Sequence, residues 1–210
     1  MIELQRIEIL HRPAAHPADA PLPDGMRLVE LTRNELDRAC MPAPGMVAPR
    51  DRQRCLARFR HGLRCFVLEA ETGDAVAWTW LAAGVPRYLD ELCWLIALRP
   101  DQAWVRDCEV LPARRGQRLL AHLIEAIARH LGTSTEFLVD IDASNRASLR
   151  AHQAAGFSPI ARVHGAGLPG HRLLRQRPPP HLPPVTALRP QQRMIRLDAD
   201  EQAWHQNHLA

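Results

Sequence analysis

Lysine is absent from this 210-residue chain: all 27 basic residues are arginines, set against 23 acids for a net charge of +4. Abundant Ala, Pro and Arg beside scarce Asn, Tyr and Phe point to genomic base composition as the ordinary cause. An arginine-rich surface for phosphates or nucleic acid is the functional alternative. Glycine is sparse, at 11 residues, which excludes a collagen-like chain, while 46% apolar residues exclude global disorder. The five cysteines (Cys40, Cys55, Cys65, Cys93 and Cys108) are odd in number and show no C-x-x-C spacing. They argue against a disulfide framework and predict reduced, mostly buried thiols. No apolar run approaches the roughly 18–20 residues that span a bilayer. Met1-Ile-Glu-Leu-Gln-Arg6 lacks the basic-then-apolar order of a secretory leader. These absences predict a soluble, cytoplasmic protein with no membrane partner. His205 and His208 have no companion ligand nearby, so no metal is expected. Neither a G-x-S-x-G elbow nor a P-loop occurs.

The length fits one generous domain. Residues 1–25, rich in proline toward their end, are expected to be an N-terminal arm, although Ile2–Leu10 has the composition of a short strand. Residues 26–176 are expected to form the main domain, and 177–210 a Pro-rich linker and C-terminal extension. Strands are predicted at Met26–Leu31, Arg64–Glu69, Ala75–Leu81, Tyr88–Leu98, Trp104–Val110, Glu136–Asp142 and Phe157–Val163, with further elements at Gln191–Leu197 and Asp198–Leu209. Thr32 with Glu35 forms a capping box for a short helix, and Ala48–Gly62 is a second helical stretch. Gly116–Leu131 carries an apolar stripe at helical spacing and ends at Gly132. A helix capped by Ser144 or Asn145 runs to Ala155. The class is α/β (α+β), with a strand–helix–strand unit over 104–142.

Charge is unevenly placed. Residues 1–161 hold 20 arginines and 20 acids, so the whole excess lies in 162–210. Between Ala143 and Leu197 there are nine arginines and no acid.

The chemistry concentrates in two segments. In Val110-Leu-Pro-Ala-Arg-Arg-Gly-Gln-Arg-Leu-Leu120 a strand ends, a proline turns the chain and a helix starts at an Arg-Gly pair. Free helix-start N–H groups, the positive dipole end and Arg114, Arg115 and Arg118 together suit a pyrophosphate. Asn145-Arg-Ala-Ser-Leu-Arg-Ala-His-Gln-Ala-Ala-Gly-Phe157 comes next, a helix and a strand later. On a regular strand Val105, Asp107 and Glu109 share one face and Trp104, Arg106, Cys108 and Val110 the other.

Together these segments resemble the GNAT superfamily of acyl-CoA-dependent N-acyltransferases, with patterns V-x-P-x-x-R-G-x-G-x-G/A and N-x-x-S/A-x-x-x-Y-x-x-x-G-F. The match covers about 104–160. The resemblance implies a mixed, mostly antiparallel central sheet flanked by helices, with acetyl-CoA or a related acyl-CoA as cosubstrate and no metal. It implies that the backbone near Val110 pairs with the pantetheine amides. Arg115, Gly116, Gln117, Arg118, Leu119 and Leu120 would hold the pyrophosphate, and Asn145 would bond the pantetheine arm. His152 stands where the family has tyrosine, placed to protonate the leaving thiolate. Arg118 and Leu120 stand where the family prefers small residues.

The implied reaction is direct attack of an amine on the thioester, with Asp107 or Glu109 as base or ammonium site. Cys108, on the opposite face from both acids, is read as packed rather than nucleophilic. A small molecule or amino-sugar is the first choice of acceptor, and a homodimer is compatible with the sequence. One alternative is a protein or aminoacyl-tRNA amine, with nucleic acid as a secondary partner suggested by the arginine segment. Another is a non-catalytic CoA-binding sensor.

Overall fold

In a computed structural model, the structure describes residues 3–14, 22–35, 37, 49–89, 92, 94–168, 171–172 and 178–187. The elements expected beyond residue 190 lie outside these. Eight strands form the main sheet: β1 (Glu3–Arg12), β2 (Arg27–Leu31), β3 (Arg64–Glu69), β4 (Ala75–Ala83), β7 (Gln102–Val110), β8 (Glu136–Asp142), β9 (Ser158–Leu168) and β10 (His171–Arg172). Three short strands, β5 (Arg87–Leu89), β6 (Trp94–Ile96) and β11 (Val185–Ala187), make a second sheet. The helices are α1 (Pro49–Arg60), α2 (Leu119–Leu131) and α3 (Arg146–Ala154).

The main sheet runs β10-β9-β1-β8-β7-β4-β3-β2, antiparallel at every pair except β7–β8. This is the mixed, mostly antiparallel sheet expected, and β7–α2–β8 is its parallel crossover unit. Residues 3–12, which open the stretch set apart as an arm, form an interior strand with a partner on each side. Ile9 pairs with Asp140 of β8 and Ala161 of β9. Val185–Ala187, within the segment set apart as an extension, pairs with β6.

Both faces of the sheet are covered, which is why β3 reads Cys-Phe-Val-Leu without polar alternation. On one face α2 lays Leu123, Ile124 and Ile127 against Phe66, Leu68, Val105 and Val139, all buried. Burying such a side chain contributes about 1.5–3 kcal/mol. On the other face α1 places Cys55 and Phe59 against Cys65, Val67 and Trp80. The small sheet covers the remainder with Leu89, Trp94 and Ile96 over Ile9, Trp104 and Leu138. Asp140 fastens that layer, accepting from Arg87 Nη2 at 3.0 Å and Trp104 Nε1 at 2.5 Å.

Two expectations need correction. Tyr88–Leu98 is not one strand but the hairpin β5–β6, whose apolar residues fill a separate layer. The helix expected from Gly116 starts at Leu119, because Gly116 (φ +83°) and Arg118 (φ +56°) are both left-handed. The Thr32–Glu35 box is formed, with Thr32 N–H donating to Glu35 Oε2 at 3.1 Å over a 3-10 turn, Arg33–Glu35, while most of the helix expected after it lies outside the described residues.

Candidate functional site

β7 does not alternate regularly. Trp78 faces Glu109 and Trp80 faces Arg106, so Asp107 and Cys108 together oppose Thr79, and Asp107 takes φ +50°. This is a β-bulge, one extra residue that bends its strand and switches the facing of the residues after it. Thr79 clamps it: its hydroxyl donates to the Arg106 carbonyl at 3.0 Å and accepts from the Cys108 thiol at 3.0 Å. The bulge places Cys108 and Val110 on the side of Val105, against the core under α2. That corrects the two-face reading of this strand. Burial raises the Cys108 thiol to about 12, so it remains protonated and weakly nucleophilic near neutral pH.

Beside the bulge, the parallel register of β7 with β8 ends at Val105–Val139. The strands part there, and a cleft of about 590 Å³ opens between the end of β7, the start of α2 and one flank of α3. Nine of the eleven expected site residues line it: Glu109, Val110, Arg115, Gly116, Arg118, Leu119, Leu120, Asn145 and His152. Gln117 and Asp107 do not. Asp107 is ion-paired to Arg58, a buried guanidinium of α1 that also lies 5.1 Å over the Trp80 ring. The sequence reading missed Arg58 and Thr79, since neither falls in a motif. It also missed Arg150, a cleft residue on α3.

The cleft is electropositive: among the described residues, Arg114, Arg115, Arg118 and Arg150 line it against the single carboxylate Glu109. No side chain caps α2, so its first-turn N–H groups are open to a ligand. A Cβ on Gly116 would meet nothing within 4 Å, so the positive φ rather than crowding calls for glycine there. Leu119 and Leu120 turn largely into the core, 2% and 7% exposed, which leaves their backbone toward the cleft. Guanidiniums and helix-start amides, with the less polar Val110 and Ala151 in the same lining, fit a nucleotide diphosphate joined to a less polar arm.

Asn145 caps α3: its Oδ1 accepts from Ser148 N–H at 3.0 Å, leaving the Nδ2 donors for a ligand. Arg115 Nε donates to the Val110 carbonyl at 3.3 Å. His152 is 3% exposed, edge-on to Phe157. Its Nδ1 lies 2.9 Å from the Ser148 carbonyl, which can only accept, so Nδ1 carries the proton. Nε2 is then a lone-pair site, buried and without a hydrogen-bond partner. Burial lowers the His152 pKa, opposed by the Ser148 hydrogen bond and the Asp140 charge, and so favours the neutral ring.

Residues 32–157 match the Acetyltransferase (GNAT) family profile. The chain belongs to the GNAT acetyltransferase family. Solved structures share the GNAT fold at low identity. A Drosophila protein is 14% identical with TM-score 0.53, over 83% of this chain and 52% of its own. A tandem GNAT protein from the clavulanic acid biosynthesis pathway is 16% identical with TM-score 0.54, over 79% and 54%. The chain therefore spans about half the length of each. AAC(6')-Iy, solved in complex with the bisubstrate analogue CoA-S-monomethyl-acetylneamine, is 20% identical with TM-score 0.50, over 72% and 98%. No curated protein matches the sequence. Among the described residues no helix is long and apolar enough to cross a membrane, and no cluster of His, Cys, Asp and Glu could hold a metal.

Proposed function

We propose that this GNAT protein transfers an acyl group, acetyl as first choice, from acyl-CoA to the amine of a small molecule or amino-sugar by direct attack. The observation that carries this reading is the parting of β7 from β8 beside an uncapped, arginine-flanked helix start. In this reading the α2 amides with Arg115, Gly116, Gln117 and Arg118 hold the pyrophosphate, and Leu119 and Leu120 contribute backbone. The Val110 backbone and Asn145 Nδ2 hold the pantetheine arm. The acceptor nitrogen attacks the thioester carbon, the C–S bond breaks, the amine gives up a proton and the sulfur takes one.

Glu109 is the base in this scheme, because it lines the cleft and Asp107 does not. The sequence cast His152 as acid, a role that needs the imidazolium. A neutral ring whose only N–H is held by the Ser148 carbonyl has no proton to offer from Nε2. We therefore assign His152 to shaping the cleft wall, with the thiolate protonated by solvent. A small amine acceptor is in keeping with the acetylneamine half of the analogue bound to AAC(6')-Iy.

Thiol release from acetyl-CoA against a panel of amines tests the reading. Glu109→Gln is expected to lower kcat/KM by about 100-fold or more, while His152→Phe stays within a few-fold of the parent. A loss beyond about tenfold in His152→Phe would restore the acid role. CoA-dependent thermal stabilisation with no thiol release for any amine would favour a sensor instead.

A further inference from the structure

We propose a second anion-binding pocket in this protein, formed by β1, β9 and the start of α3, that takes a phosphate-bearing small molecule. It is an open pocket of about 710 Å³, sharing no lining residue with the cleft. The two lie on opposite flanks of α3: Arg146 and Leu149 line the pocket, whereas Ser148, Ala151 and His152 line the cleft. Its volume falls in the range of ordinary small-ligand sites.

Three guanidiniums converge on it from three elements: Arg6 of β1, Arg162 of β9 and Arg146 of α3. Two carboxylates also line it, and both are engaged. Glu8 accepts from Arg162 Nε at 2.5 Å. Asp142 Oδ1 accepts from the Ser144 N–H at 2.7 Å and the Ser144 hydroxyl at 2.5 Å. Arg6 and Arg146 have no ion-pair partner among the described residues, and the charged lining, three arginines against Glu8 and Asp142, leaves the pocket a net charge of +1. Their placement is built into the sheet. Glu8 sits opposite Arg162 and Arg6 opposite His164 in the β1–β9 ladder, so these four side chains share the face toward α3.

Arginine offers a planar fork of donors that matches phosphate oxygens two at a time, and concave walls strengthen the local field. Arg146 and Arg162 also belong to the acid-free segment 143–197. Among the described residues the cleft uses Arg150 from that segment, and the pocket gives two further arginines a common target. Acyl transfer at the cleft plays no part in this inference.

Calorimetric titration with inorganic pyrophosphate tests it, run on Arg114→Ala/Arg115→Ala protein to weaken the competing cleft. One site is expected to remain, and adding Arg6→Ala and Arg146→Ala is expected to weaken it about tenfold or more. In the unsubstituted protein, the Nε–H resonances of Arg6 and Arg146 are expected to shift as pyrophosphate is added. Equal affinity with and without Arg6 and Arg146, or unmoved resonances, overturns the proposal. So does binding of an RNA oligonucleotide through these arginines where pyrophosphate does not bind.

Discussion

Arg118 holds φ +56° and ψ +22° immediately before α2, a conformation that costs a residue with a Cβ about 1–2 kcal/mol. The backbone there explains the family's glycine: the turn needs a left-handed residue. Arg118→Gly is expected to raise stability by about 1 kcal/mol in urea denaturation, while the lost guanidinium weakens CoA binding. Asn145 separates in the opposite way, since its Oδ1 serves α3 and its Nδ2 is left for a ligand. Asn145→Asp retains the cap but not the donor, so stability should hold while CoA affinity falls. Asn145→Ala should lose both, with about 1 kcal/mol of stability. His152 makes a third test. Its folded pKa lies below the ordinary value of 6.5, so on acidification the unfolded chain takes up a proton before the buried ring does. The contribution is therefore intact above pH 6.5 and is lost as pH falls below it. Melting temperatures from pH 8 down to 5 should drop less in His152→Gln than in the parent.

At the scale of elements, the bulge in β7 and the stripe of α2 do different work. Thr79→Val removes the hydroxyl that joins the Arg106 carbonyl to the Cys108 thiol. It should cost about 1 kcal/mol and lower acyl transfer by loosening the strand end at the cleft. Leu123→Ala, at a fully buried position on α2, should cost about 2–5 kcal/mol in the same denaturation assay. The stripe was legible in the sequence because an amphipathic helix announces itself by spacing alone. The bulge was not, because alternation assumes one residue per step and nothing in Arg106-Asp-Cys-Glu109 marks the extra one. The ion pair of Asp107 was hidden as well, since its partner Arg58 lies on another element, 49 positions away in sequence. The hairpin within Tyr88–Leu98 was hidden by apolar residues that serve a second layer.

Over the whole molecule, the cleft residues were readable because helix start, strand end and second helix are consecutive along the chain. The third neighbour of that unit was not, since β1 reaches β8 and β9 from the far end of the sequence. Ile9 is fully buried, with a ladder partner on either side. Ile9→Pro removes an interior N–H and should abolish the cooperative unfolding transition seen by circular dichroism. The same interior strand sets an order of events for the growing chain. Ile7 must find Asp142 on one side and Val163 on the other, so β1 waits for strands made much later. Long-range pairing of this kind slows folding. A ribosome-bound chain halted before β9 emerges would present β1 as an open edge, the surface on which a chaperone, or another unfinished copy, could dock.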